Sequence, residues 1–137
     1  AESTVERIEM RNCLEHLADA LAVLDEIHRT LIPGGEVYLE LPHFTSPDVH
    51  IDLTHRRAFS FFTFDYLTPH GRAPFAHRCV FEIVRREFVF WPMGNGLTPA
   101  NILGVRTLAH RHPRFYERFV CYLFPARALH VTLRAVK

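Results

Sequence analysis

The stretch NCLEHLADALAVLDEIHRTLIPGGEVYLELPH, running from Asn12 to His43, decides the fold: it reads as strand end, helix, turn and strand in one unit. Leu17, Ala20, Leu21, Leu24, Ile27 and Leu31 recur at steps of three and four, lining one face and predicting a half-buried helix over Asp19 to Leu31. Asp19 suits the N-cap, because its carboxylate accepts a first-turn N–H, and His28 and Arg29 fall in the last turn, where the helix dipole favours positive charge. Pro33 cannot continue a helix, and Gly34-Gly35 supplies the positive φ that a sharp reversal needs. In the strand that follows, Val37, Leu39 and Leu41 point one way and Tyr38 and Glu40 the other.

Upstream, Val5 to Arg11 is expected as a second strand with Ile8 and Met10 as its apolar positions, although Glu6, Arg7, Glu9 and Arg11 leave its pairing open. If both strands form, the helix between them is a crossover joining parallel neighbours, which is right-handed in nearly all proteins. Downstream, a breaker-rich stretch from Pro69 through Pro74 precedes a strand over Val80 to Trp91, interrupted at Arg85-Arg86-Glu87 by a bulge or bend. A loop from Pro92 to Pro99 contains Gly94-Asn95-Gly96, which without a helix-opening glycine reads as a plain loop. Helices are expected over Asn101 to His110 and Arg114 to Leu123, the second placing Phe115, Phe119 and Tyr122 or Leu123 in the core. Leu129, Val131, Leu133 and Ala135 alternate with His130, Thr132 and Arg134, the pattern of a strand with one buried face.

At 137 residues and 48% hydrophobic content, the chain is sized for one domain with one core, residues 1–137. A formal net charge of +1 gives no field for nucleic acid, so no nucleic-acid partner is expected. Cys13, Cys79 and Cys121 are odd in number and lack a Cys-x-x-Cys pair, which points away from a disulfide framework or thiolate zinc site and towards a reducing, cytoplasmic setting. No apolar run approaches a bilayer span, and Ala1-Glu2-Ser3-Thr4 lacks the features of a signal peptide, so no membrane association is expected.

Val5 to Leu14, then Glu15-His16-Leu17, the helix ending His28-Arg29-Thr30-Leu31, Pro33-Gly34-Gly35 and the strand into Pro42-His43 resemble the fourth strand, following helix and fifth strand of class I S-adenosylmethionine-dependent methyltransferases. The Leu-Glu-His step and the Pro-Gly-Gly turn are the specific parts. Asp52 to Ser60, Thr63 to Tyr66, and the tail from Phe115 to Val131 are similar to one bacterial branch of that family. The resemblance implies an α/β fold with the fourth to seventh strands of a Rossmann-like sheet, the last strand antiparallel between the fifth and sixth. It also implies that the glycine-rich cofactor loop and the acidic ribose-binding residue lie before residue 1, so that Val5 to Arg11 is an open edge. A homo-oligomer through that edge, or dependence on a missing N-terminal half, is then expected.

The resemblance further implies that Asn12, Leu14, Glu15 and His16 lie alongside the methionine part of S-adenosylmethionine. Leu14 as core, and Glu15 and His16 as polar partners of backbone near the helix start, are the plain alternatives. The loop leaving the strand end at His43 carries most of the chemistry, because open α/β sheets bind ligands beyond the carboxyl ends of their strands. Methyl transfer needs an in-line approach and loss of a proton from a hydroxyl or amine, which suits a histidine. His55 is the expected general base, with Asp52 orienting it or binding substrate and His43 in reserve. Arg56 and Arg57, with Tyr66 from the aromatic run after them, are the expected substrate contacts, the arginines through forked bonds to an anionic acceptor. With ten histidines in the chain, a surface or packing role for any of these remains the alternative.

His43, His50, His55, Asp48 and Asp52 also have the atoms for a metal site. Their spacing implies no tripod, because His50 and His55 are five apart and would not share a helix face; no metal is expected. The function expected is S-adenosylmethionine-dependent methyl transfer to an O or N atom of a small molecule or saccharide. A non-catalytic binding or assembly module of the same ancestry is the alternative, and a metal-dependent hydrolase built on the His43 to His55 loop is a third.

Overall fold

The computed structural model describes residues 3–71, 79–91 and 103–137. The described residues form a four-stranded sheet in the order β1-β2-β4-β3, from β1 (Val5–Arg11), β2 (Leu31–Pro42), β3 (Phe81–Val89) and β4 (Ala128–Ala135). β1 and β2 run parallel, pairing Ile8 with Val37 and Met10 with Leu39, and helix α1 (Ala20–Thr30) carries the chain between them. Asp19 caps α1 as its sequence suggests, accepting the Ala22 N–H at 2.9 Å. β4 is antiparallel to both β2 and β3, so the expected mixed sheet with an antiparallel last strand is the sheet observed.

One face of the sheet is apolar. Val37, Leu39 and Leu41 on β2 and Leu129, Val131 and Leu133 on β4 are fully or almost fully buried, together with Ala20, Leu24 and Ile27 of α1. Leu21 is 39% exposed, so the helix stripe is narrower than its spacing implies. The other face is polar, with Tyr38, His130, Glu40 and Glu87 side by side and Arg134 bonded to Glu36 at 2.9 Å. The row of Leu41, Leu129 and Phe88 extends the apolar face onto β3, where the register shifts between Ile83 and Arg85, the expected bulge. Arg86 turns inward there. Its guanidinium lies 4.5 Å from the Phe61 ring and 2.5 Å from Asp65.

Two expectations need correction. Pro33-Gly34-Gly35 does not form a turn ahead of the strand: β2 already begins at Leu31, and the three residues are absorbed as an irregularity between the Val5–Leu31 and Arg7–Glu36 pairs. Gly34 takes a φ of +77°, while a Cβ on Gly35 would stand 3.1 Å from the Glu6 carbonyl of β1 and 3.0 Å from that of Ile32. The helix expected over Arg114 to Leu123 is instead a single α-turn, α4 (Pro113–Phe115), running into a π-helical turn over Tyr116–Val120. It follows α3 (Val105–Arg111). The wider turn moves the buried position by one residue. Tyr116 fills the core, its hydroxyl donating to the Phe124 carbonyl at 2.7 Å, while Phe115, Phe119, Tyr122 and Leu123 are all at least half exposed. The Gly94-Asn95-Gly96 loop, the rest of Pro92 to Pro99, Pro74 and the start of the helix expected over Asn101 to His110 lie outside the described residues.

Gly35→Ala is expected to lower stability by about 2 kcal/mol, because the new methyl meets backbone on both strands. Gly34→Ala costs about 1 kcal/mol for its left-handed backbone in otherwise open space. Urea denaturation of the two variants checks the order.

Candidate functional site

β1 and β2 end at the same edge of the sheet, and the segments that follow them fold over it. Asn12 leaves β1 with a φ of +47°, a left-handed conformation asparagine tolerates, and its N–H donates to the Glu40 carbonyl at 2.9 Å. Leu14–His16 then make a 3₁₀ turn in which Leu14 is fully buried. That anchor places the two flanking polar side chains, Glu15 and His16, over the strand ends.

The loop after β2 returns to the same place. His43 and Phe59 form a parallel bridge, so residues 44–58 start and finish at the sheet edge. Within the loop, α2 (Asp48–Ile51) is followed by a turn in which the His55 N–H donates to the Asp52 carbonyl. The Arg56 N–H donates to the Glu15 carbonyl at 2.9 Å, and the Arg57 guanidinium donates to the carbonyls of Leu17 and Ala18 at 3.0 and 2.8 Å. These bonds dock the loop on the Glu15 turn. Between them lies a cavity of about 290 Å³ lined by Asn12, Glu15, His16, Glu40, Asp52 and His55, with Asp48, Ile51, Arg127, Pro42 and Ala128 completing its wall.

The electrostatics of the cavity are unusual at Glu15. Its side chain is 1% exposed, and neither carboxylate oxygen has a hydrogen-bond partner. Nε2 of His16 and Nε2 of His55 each lie 4.0 Å from its Oε1, and the two rings are 4.6 Å apart. The far nitrogens are engaged elsewhere. His55 Nδ1 lies 3.3 Å from the Val49 carbonyl, which only accepts, so in the neutral ring Nδ1 carries the proton. The Thr54 hydroxyl donates to Asp52 Oδ1 at 2.7 Å, and its oxygen, 2.8 Å from His16 Nδ1, is left to accept. A neutral ring at either position therefore leaves its Nε2 lone pair 4.0 Å from the Glu15 carboxylate, and a protonated ring pairs with it there. Hydrogen bonds from the Thr54 hydroxyl and N–H hold the Asp52 carboxyl below the ordinary aspartate value.

The residues singled out from the sequence divide between this site and others. Asn12, Glu15, His16, Asp52 and His55 meet at the cavity. Asp52 does not orient His55 from behind: its Oδ2 is 3.9 Å from Nε2, and the Val49 carbonyl holds the other nitrogen. Leu14 belongs to the core. Arg56 and Arg57 are not among the lining residues, and Arg57 is tied to backbone. Tyr66 lies at a second, wider cavity with Arg114 and Arg118. His43 is fully buried, its ring nitrogens 2.7 Å from Thr45 Oγ1 and 3.1 Å from Glu117 Oε1. His50 is exposed and does not join a ligand-like cluster; among the described residues the group that does is Glu15, His16 and His55.

Sequence reasoning missed Glu40 and Arg127, which alternation shows only as outward or loop positions, and Thr54, whose role depends on two partners. It also missed Glu117. That carboxylate accepts from the Phe61 N–H and the Ser60 hydroxyl, each at 2.7 Å, besides meeting His43, and so pins the π-helical turn to the loop. Burial alone would raise its carboxyl, but the bonds from His43, Phe61 and Ser60 outweigh burial and hold it below the ordinary glutamate value.

The fold has known counterparts. A SAM-dependent methyltransferase from Archaeoglobus fulgidus superposes with a TM-score of 0.58 over 97% of this chain and 60% of its own, at 16% identity. Its fold is that of the class I methyltransferases. The YcgJ protein from Bacillus subtilis superposes with a TM-score of 0.54 over 99% of this chain and 65% of its own, at 12% identity. The chain thus spans less than two thirds of the length of either structure. No protein-family model matches it, and no curated protein matches it in sequence. Among the described residues no helix is long and apolar enough to cross a membrane.

Two stability measurements follow. Glu15→Gln is expected to stabilise the ligand-free protein by about 1 kcal/mol, since a neutral amide costs less than a carboxylate to bury without hydrogen-bond partners. Glu117→Gln is expected to be less stable than wild type at neutral pH. Because the folded carboxyl lies below its unfolded value of 4.5, that advantage is present above pH 4.5 and disappears as pH falls through the folded value. Urea titrations of both variants at pH 7 and in the acid range check these outcomes.

Proposed function

We propose that the chain forms the acceptor-side part of an S-adenosylmethionine-dependent methyltransferase acting on an O or N atom of a small molecule or saccharide. The observation that carries this reading is the cavity at the joint ends of β1 and β2, in a methyltransferase fold, with a basic nitrogen and several carboxylates facing into it. The residues present fit the methionine end of the cofactor: Glu15 is a buried carboxylate without a hydrogen-bond partner, and Glu40, Asp48 and Asp52 add negative charge around it. These groups complement a sulfonium and an ammonium. When bound, the cofactor supplies an electrophilic methyl group. Asn12, Glu15 and His16 would hold its amino-acid end.

The chain's own part in the reaction is to orient the acceptor and take its proton. His55 is the base in this reading, because Nε2 carries the lone pair while the Val49 carbonyl fixes the ring. Asp52, held ionised by Thr54 beside that nitrogen, stabilises the imidazolium that forms. Tyr66, Arg114 and Arg118 at the second cavity offer hydroxyl and guanidinium contacts for an anionic or hydroxyl-rich acceptor. Arg56, exposed at the loop, is a further contact for such a group.

Calorimetric titration with S-adenosylhomocysteine tests the reading. Saturable one-site binding at up to millimolar ligand, weakened several-fold by Glu40→Gln, is the expected result. Absence of binding would instead favour a non-catalytic assembly module.

A further inference from the structure

We propose that Glu15, His16 and His55 form a site for one divalent transition-metal ion of the zinc type. One oxygen and two nitrogens from these residues lie within 4.8 Å of one another, and all three residues line the cavity at the ends of β1 and β2. A tetrahedral ion with bonds of about 2.0–2.1 Å keeps its ligand atoms roughly 3.4 Å apart. The 4.0 Å separations from Glu15 Oε1 to each Nε2, and a nitrogen–nitrogen separation of up to 4.8 Å, therefore need to close by side-chain rotation.

The chemistry of the three atoms, and the burial of Glu15, favour a bound cation. Each of the three presents a lone pair to the same small volume, and the hydrogen-bond partners of the neutral rings place both imidazole protons on the opposite nitrogens. A positive charge at its centre, a metal ion or a proton on one ring, relieves the repulsion, and a metal ion alone engages all three atoms at once. Glu15 is the independent observation: a carboxylate that is 1% exposed, with both oxygens lacking a hydrogen-bond partner, aimed at the cluster. A buried carboxylate without partners is costly in general, so folds rarely keep one without use.

The surroundings resemble a built site. His55 Nδ1 on the Val49 carbonyl and His16 Nδ1 on the Thr54 hydroxyl are the outer bonds that fix tautomer and ring direction in metal-ligating histidines. The Thr54 hydroxyl passes on to Asp52, whose Oδ2 lies 3.9 Å from His55 Nε2. Two imidazoles with one carboxylate and a position open to a cavity favour zinc, iron or cobalt over magnesium or calcium, which take oxygen ligands. The ligand set differs from that expected from the loop sequence: His43 and His50 take no part, and Glu15 and His16 come from the other strand end. The proposal does not rest on methyl transfer. Metal and proton compete for His55 Nε2, so the metal-bound state and the base role are alternative occupancies of one atom.

The test is titration of the chelator-stripped full chain with Co²⁺ and Zn²⁺, followed by visible absorption and calorimetry. One equivalent of Co²⁺ with the intense bands of a four-coordinate site, displaced by Zn²⁺, is expected; His16→Ala and His55→Ala each weaken it at least about tenfold. His50→Ala, an exposed histidine of the same loop, leaves it unchanged. Histidine-ring nitrogen NMR of the wild-type protein serves if a variant fails to fold: Zn²⁺ moves the signals of His16 and His55 and of no other ring. Absence of saturable binding, binding that survives both ligand variants, or ring shifts at other histidines would overturn the proposal.

Discussion

Parallel pairing of β1 with β2 across α1 is the constraint on which the rest depends. Two parallel neighbours must finish at the same edge, and the crossover has to leave from one end and return to the other. The turn after β1 and the loop after β2 are thus forced into each other's company. Glu15 and His55 are forty residues apart in sequence, yet the Ile8–Val37 register places them in one cavity. β4 then closes the far side of β2 in antiparallel fashion, and its Leu129, Val131 and Leu133 complete the apolar face that α1 covers.

The sheet edge contains two carboxylates with opposite circumstances. Glu117 is surrounded by donors and binds the π-helical turn, the Ser60 segment and His43 into one unit, a structural role that burial makes stronger. Glu15 is more deeply buried and has none. A sequence shaped for stability alone would fill that position with leucine or glutamine. Local departures from consistency of this kind concentrate where a ligand restores the balance. With His16 and His55 4.0 Å away, the site suits a positively charged partner.

Period and capping made much of the framework legible in the sequence. The alternation of Leu129, Val131, Leu133 and Ala135, the three-and-four spacing along α1 and the Asp19 cap are local properties, and local properties survive folding. The inward role of Tyr116 was not legible, because a π-helical turn breaks the period on which the choice of Phe115 and Phe119 depended. Pro33-Gly34-Gly35 has turn chemistry, but the pull of two flanking strands drew it into β2 as an irregularity. At the site, the Glu-His step and His55 were readable as chemical candidates; their convergence was not, since it depends on bonds from the Arg56 N–H to the Glu15 carbonyl and from the Arg57 guanidinium to the Leu17 and Ala18 carbonyls. His43, the reserve base in sequence, is set apart from His55 by its full burial and its contact with Glu117.

The central claim is that ligand chemistry belongs to the shared end of β1 and β2. Backbone amide NMR during titration with S-adenosylmethionine addresses it most directly. The account predicts shifts centred on Asn12, Glu15, His16, Glu40 and His55, with the signals of β3 stationary. Shifts confined to the Phe44, Tyr66 and Arg114 cavity, with the Glu15 turn silent, would contradict it.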